Sequence, residues 1–186
     1  MIELTIIGRG GQGAKTAAQL LAEAAMETGK YVQSFPEYGP ERAGAPVKAF
    51  TRIDDSLVRV HCAVNNPDIV GVTDPTLLKA VNVTEGLKQS GILVVNTEDS
   101  PEAIKKKLNF NGKVFTLDAT RISIDTVGKN LPNMPILGAI LKATDIVPLD
   151  ILREMVRHKF EKKIGKDLTD KNILAIEEGH KEVKNA

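Results

Sequence analysis

The stretch "IELTIIGRGGQGAKTAAQLLAEAA", Ile2 to Ala25, decides how the rest of the chain is read. An apolar run, Ile2 to Ile7, has the continuous hydrophobicity of a strand buried on both faces. A cluster of glycines follows. Gly11 to Thr28 then reads as an alanine-rich helix with Leu20, Leu21, Ala24 and Ala25 on one face, and Gly29 is placed to terminate it. Strand, glycine turn and helix in that order open a parallel α/β sheet.

Working outward, Tyr31–Phe35 and Val47–Ile53 read as strands, and Ser56–Val64 as a strand forming an antiparallel hairpin with the latter about Asp54-Asp55. Short apolar runs at 68–73, 91–96 and 113–118 suit parallel strands. Helical segments are expected at 75–81, 100–108, 119–127, 135–144, 149–162 and 169–184. The expected fold is a Rossmann-like, doubly wound, mostly parallel sheet with one antiparallel hairpin and extra C-terminal helices, one domain over residues 1–186. Ile151, Leu152, Met155, Val156 and Phe160 form a helical stripe that belongs to a core or a subunit contact.

A chain of 186 residues with 42% hydrophobic and 26% charged residues and a net charge of +1 carries no bias toward nucleic acid or anionic membrane. The short basic runs 105–107 and 162–163 read as solvated helix faces. The start "MIELTII" has no basic flank or cleavage site, and no apolar run approaches a membrane span, so a cytoplasmic location is expected. Cys62 stands alone and His61, His158 and His180 are scattered, so no metal site is expected in this chain.

Gly8, Gly10 and Gly13 satisfy G-x-G-x-x-G between a strand and a helix, where backbone amides can approach a phosphate. The acid that should take a ribose is missing, because the next strand ends in Gln33, Ser34 and Phe35, and Glu37 lies beyond Pro36. A P-loop fails too: Ala14 stands at the lysine position and Lys15 at the hydroxyl position. The glycines can also serve only a tight turn and close packing. Between Pro36 and Pro46, Glu37, Tyr38, Glu41 and Arg42 are presented among turn-forming prolines and glycines, and the beginning of this loop is expected near the sheet edge that holds the glycine turn. Arg42 could meet a phosphate or carboxylate, or pair with Glu37 or Glu41. "NLPNMPILGAI", Asn130 to Ile140, reads as a turn with Pro135 in the first turn of a helix. No nucleophile, base and orienting group stand at a recognisable spacing, so no catalytic residue is assigned.

Three stretches, "GRGGQGAKTAAQLLAEAA" (8–25), "FPEYGPERAGAPVKAFTRI" (35–53) and "NLPNMPILGAI" (130–140), together resemble the gamma subunits of the 2-oxoacid:ferredoxin oxidoreductases, most closely the pyruvate-specific type, over residues 2–184. The resemblance implies a subunit of an enzyme that converts pyruvate, coenzyme A and oxidised ferredoxin to acetyl-CoA, CO2 and reduced ferredoxin. It implies alpha, beta and delta partner subunits that carry thiamine diphosphate, magnesium and iron-sulfur clusters, and no activity for this chain by itself. Asn65-Asn66 matches only the end of a thiamine diphosphate motif, without its Gly-Asp-Gly. By the same resemblance, Gly8, Gly10, Gly11, Gln12 and Gly13, with Glu37, Tyr38 and Arg42 nearby, form a rim that accepts coenzyme A or a partner subunit. The alternatives are a free-standing NAD(P)-binding Rossmann oxidoreductase or sensor, and a scaffold with a vestigial glycine turn.

Overall fold

A computed structural model of the chain describes residues 1–37 and 44–185. The elements run β1 (Ile2–Arg9), α1 (Ala14–Glu27), β2 (Tyr31–Glu37), β3 (Pro46–Asp54), β4 (Ile69–Val72), α2 (Leu77–Ala80), β5 (Ile92–Asn96), α3 (Pro101–Leu108), β6 (Lys113–Leu117), α4 (Ala119–Val127), α5 (Asn133–Thr144), α6 (Leu149–Ile164), α7 (Lys166–Glu182) and β7 (Lys184–Asn185). Among the described residues the strands form one sheet in the order β2-β3-β1-β4-β5-β6-β7. β1, β4, β5 and β6 are mutually parallel, while β3 runs antiparallel to both β1 and β2.

Alternation along the central strands sends side chains into two cores, as the two-residue repeat of a strand requires. Leu4, Ile6 and Val94 pack with α1, α5, α6 and α7, whereas Ile7, Leu93 and Val95 pack with Leu77, Ile104 and Phe110 on the other face. The C-terminal helices expected from sequence therefore all serve one face. Leu152 and Val156 of the α6 stripe are fully buried, and Ile151, Met155 and Phe160 pack against the same core. No helix among the described residues is long and apolar enough to cross a membrane.

The hairpin expected between 47–53 and 56–64 is corrected. The antiparallel partner of β3 is β2, in the register Tyr31↔Asp54 to Glu37↔Lys48, and residues 55–64 form no strand. The reason is that both edges of β3 are taken, one by β1 and one by β2, so a strand-like sequence after Asp54 finds no free ladder. The segment is instead fastened by Arg52, whose Nη2 donates to the carbonyls of Cys62 at 2.9 Å and Ala63 at 3.3 Å. A two-residue strand, β7, also closes the far edge and had no signal in the sequence.

On α7, partial burial and the charge of Lys142 push His180 below the usual histidine range, against the opposing pull of Asp145. The folded chain thus favours neutral His180, while the unfolded chain takes up a proton near pH 6.5. The stability this provides is complete above about pH 6.5 and is lost as pH falls through the lowered value. His180→Gln is expected to flatten part of the fall in melting temperature between pH 7 and 5, measured by circular dichroism.

Candidate functional site

The site lies at the carboxyl ends of β1 and β4. There the chain turns from filling one side of the sheet to filling the other, the switch point at which doubly wound sheets hold ligands. β1 ends at Arg9, and Gly10 to Gly13 form the turn into α1. Gly11 (φ 94°) and Gly13 (φ 78°) occupy the left-handed region, which side chains disfavour. α1 has no side-chain cap and no acidic residue in its first turn, so its leading amides and positive dipole end favour an anion.

The glycines divide into two kinds. A Cβ on Gly8 would collide with Thr73 Oγ1, and one on Gly13 would stand 2.6 Å from Cγ of the buried Asn133, so these two are fixed by packing. Gly11 has nothing within 4 Å of its missing Cβ, and Gly10 only the Gly44 amide nitrogen at 3.7 Å. The open side of the turn is therefore at Gly10 and Gly11.

The three separated stretches meet here. Gly10 N donates to Ala45 O at 3.2 Å, and Arg9 Nη1 to Gly44 O at 2.8 Å, which places the end of the 38–45 connection against the glycine turn. Asn133, from the first turn of α5, supports the turn from the other side. Gln12 folds back so that its Oε1 accepts from Arg9 N (2.8 Å) and Thr73 Oγ1 (3.1 Å), while its Nε2 donates to Asp74 Oδ2 (2.6 Å). Its side chain braces the turn from within, and its backbone N–H donates to Arg9 O at 3.1 Å. Glu37 is exposed at the end of β2, opposite Lys48, with β3 between it and β1. Tyr38 and Arg42 lie outside the described residues.

Sequence reading missed Arg9, Asp74, Thr76 and Asn133. Burial pushes the Asp74 carboxyl up. Hydrogen bonds from Thr76 and Gln12, the Thr76 amide and the charge of Arg9 outweigh this and hold it below the usual carboxylate range. The legible signal was "TDPT", Thr73 to Thr76, directly after an apolar strand: an aspartate and a proline in a turn that the aspartate closes on Thr76.

Beside Asp74, a cleft of about 570 Å³ opens at the ends of β5 and β6, lined by Pro75, Asn96, Asp118, Thr120, Arg121 and Ile124 among others. Asn96 joins the two concavities, donating to Thr73 O (2.7 Å) and Thr120 Oγ1 (2.9 Å). Arg121 is engaged by Asp118, Asp125 and Glu182, which leaves the cleft acidic and unsuited to phosphate. Cys62 is exposed, and among the described residues no three His, Cys, Asp or Glu side chains converge as metal ligands. These residues do not fit an iron-sulfur cluster or a thiamine-bound magnesium.

Comparison with known proteins matches residues 3–182 to the model of the pyruvate ferredoxin/flavodoxin oxidoreductase family. The chain belongs to that family. The pyruvate synthase subunit PorC of Thermotoga maritima is 50% identical over 177 residues, covering 95% of this chain and 92% of that protein. The pyruvate/ketoisovalerate oxidoreductases common subunit gamma of Thermococcus kodakarensis is 49% identical over 179 residues, covering 96% and 95%. The crystal structure of pyruvate oxidoreductase subunit PORC from T. maritima superposes with a TM-score of 0.88 at 46% identity, covering all of this chain and 98% of that one. Within the pyruvate ferredoxin/flavodoxin oxidoreductase family this is a chain of the gamma-subunit type.

For a nicotinamide-binding Rossmann protein the strand after α1 should lie beside β1 and end in an acid. Here β3 occupies that place, and Glu37 is displaced by one strand. The glycine motif is shared with such proteins, but the rest of their ribose site is not built.

Proposed function

We propose that the chain is the gamma subunit of a pyruvate:ferredoxin oxidoreductase whose glycine turn forms part of the rim that accepts coenzyme A. The reaction is the conversion of pyruvate, coenzyme A and oxidised ferredoxin to acetyl-CoA, CO2 and reduced ferredoxin. Thiamine diphosphate, magnesium and the iron-sulfur clusters belong to companion alpha, beta and delta chains in this reading, which the single cysteine and the lack of a ligand set among the described residues support. The observation that carries it is the convergence of the three family-like stretches on one turn, through Gly10 with Ala45 and Gly13 with Asn133. A gamma chain named as common to pyruvate and ketoisovalerate enzymes fits a subunit that serves the shared substrate, coenzyme A, and leaves choice of 2-oxoacid to other chains.

Coenzyme A brings a diphosphate and a 3′-phosphate, which suit uncapped helix amides beside an arginine. Gly10→Glu adds a carboxylate on the open side of the turn without the strain that Gly11, at positive φ, would impose. In the reassembled complex it is expected to raise the KM for coenzyme A about tenfold, a loss of about 1.4 kcal/mol, with the KM for pyruvate and assembly unchanged. An unchanged KM for coenzyme A in a fully assembled complex would remove the assignment. Saturable quenching of NADH fluorescence by the isolated chain would instead favour a nicotinamide-binding protein.

A further inference from the structure

The Asp74 carboxylate divides its two oxygens between two tasks. Oδ1 closes its own turn, accepting from Thr76 N at 2.8 Å and Thr76 Oγ1 at 2.5 Å. Oδ2 reaches across to the end of β1, where it accepts from Gln12 Nε2 at 2.6 Å and faces Arg9 Nε at 3.4 Å. Arg9 is held on further sides: its Nε and Nη2 donate to Thr76 Oγ1 at 3.1 and 2.7 Å, and its Nη1 to Gly44 O at 2.8 Å. Those bonds use three of the five N–H groups of the guanidinium. The side chain remains 32% exposed at the mouth of the switch point.

We infer that Arg9 is the side chain that engages the anionic, phosphate-bearing end of the ligand at the glycine turn, and that Asp74 is a positioning residue that sets it. This rests on the coenzyme A reading above. An arginine recognises phosphate through a planar fork, and a fork already fixed in one orientation loses little freedom when the ligand arrives. Asp74 supplies the fixing from one side, and the Gly44 carbonyl from the other. Gln12 locks the backbone of Arg9 to the same carboxylate, so that the turn and the guanidinium move as one unit.

Asp74→Asn separates the two tasks. The amide oxygen can keep both Thr76 bonds, but a donor replaces the acceptor that faced Gln12 and Arg9. In the reassembled complex, Asp74→Asn and Arg9→Gln are each expected to raise the KM for coenzyme A about tenfold. The KM for pyruvate, and kcat at saturating coenzyme A, should stay within about twofold. The double variant should be no worse than Arg9→Gln by itself, because one residue acts through the other. Arg9→Lys, which keeps the charge and loses the fork, should fall between Arg9→Gln and the unaltered chain, and it serves where the other variants fail to assemble.

Additive losses in the double variant, or an unchanged KM for coenzyme A in assembled Arg9→Lys and Arg9→Gln, would overturn the inference. If Gly10→Glu raises that KM while the Arg9 and Asp74 variants do not, only the roles of Arg9 and Asp74 fall. If none of these variants moves it, the coenzyme A reading falls as well.

Discussion

Gly179→Ala is expected to lower the melting temperature of the chain by about 10 °C. α5 and α7 cross at two glycines, and each lies against the backbone of the other helix. A Cβ on Gly179 would stand 2.6 Å from Pro135 Cα and closer still to the Pro135 carbonyl oxygen. A Cβ on Gly138 would stand 2.9 Å from Ile176 C and would overlap Ile176 O. Backbone atoms cannot rotate away as a side chain can, so the helices must separate. Overpacking of this kind costs about 3 kcal/mol, well beyond the roughly 1 kcal/mol that alanine gains over glycine in a helix. For a chain of this length, 3 kcal/mol corresponds to about 10 °C. Leu174→Ala on the exposed side of α7 is the control and should change little, since Leu174 is 43% exposed. Equal melting temperatures for the two variants, by calorimetry, would refute the account. Because Asn133 lies only two residues before Pro135, in the same first turn of α5, the same variant should also disturb the support under Gly13.

Arg52→Met is expected to destabilise the chain by about 3 kcal/mol and to open residues 55–64 to protease. Arg52 is 1% exposed, yet each of its three guanidinium nitrogens is engaged: Nε pairs with Glu3 Oε1 at 2.8 Å, Nη1 donates to Gln33 Oε1 at 2.8 Å, and Nη2 holds the Cys62 and Ala63 carbonyls. The guanidinium also lies 5.5 Å from the centre of the Phe35 ring, itself packed on Phe50. Methionine keeps much of the volume but strands a carboxylate and several acceptors. Removing one partner of a buried pair costs 3–5 kcal/mol, and the low end applies because Glu3 retains some solvent contact. Arg52→Lys should lose about half as much, since an ammonium can pair with Glu3 but cannot span the same set of acceptors. Urea denaturation gives the stability, and limited proteolysis the fate of the segment. A full-strength loss of stability with no new cleavage in 55–64 would show that Arg52 does not fasten it.

The architecture was largely legible because β1, β4, β5 and β6 are written in continuous apolar runs and α1 in alanine and leucine, signals that act over a few residues. What escaped depends on who pairs with whom. "SLVRVHCAV", Ser56 to Val64, has the composition of a strand, and nothing within it reveals that β2 and β1 have already taken both edges of β3. The site followed the same division. The glycines could be read from order and context, but the loop after β2 was expected to meet them at its beginning, whereas Gly44 and Ala45 at its end do so and Glu37 is held one strand away. Asp74 and Asn133 are single polar residues far along the chain from the glycine turn, and their meeting with Gln12 and Gly13 depends on the sheet order and on how α5 packs against the sheet. Gln12 was rightly placed in the turn, but its side chain turned out to look inward.

The site at the end of β1 draws on residues 9–13, 44–45, 73–76 and 133, elements joined only by distant segments of chain. α1 can form from local contacts, but the turn before it takes its shape only after β3 and β4 flank β1 and α5 docks beneath Gly13. The site therefore exists only when nearly the whole chain is native. Whatever binds there acts on the global equilibrium between folded and unfolded chain, so occupancy should slow hydrogen exchange in α5 and β4 as much as in the turn itself.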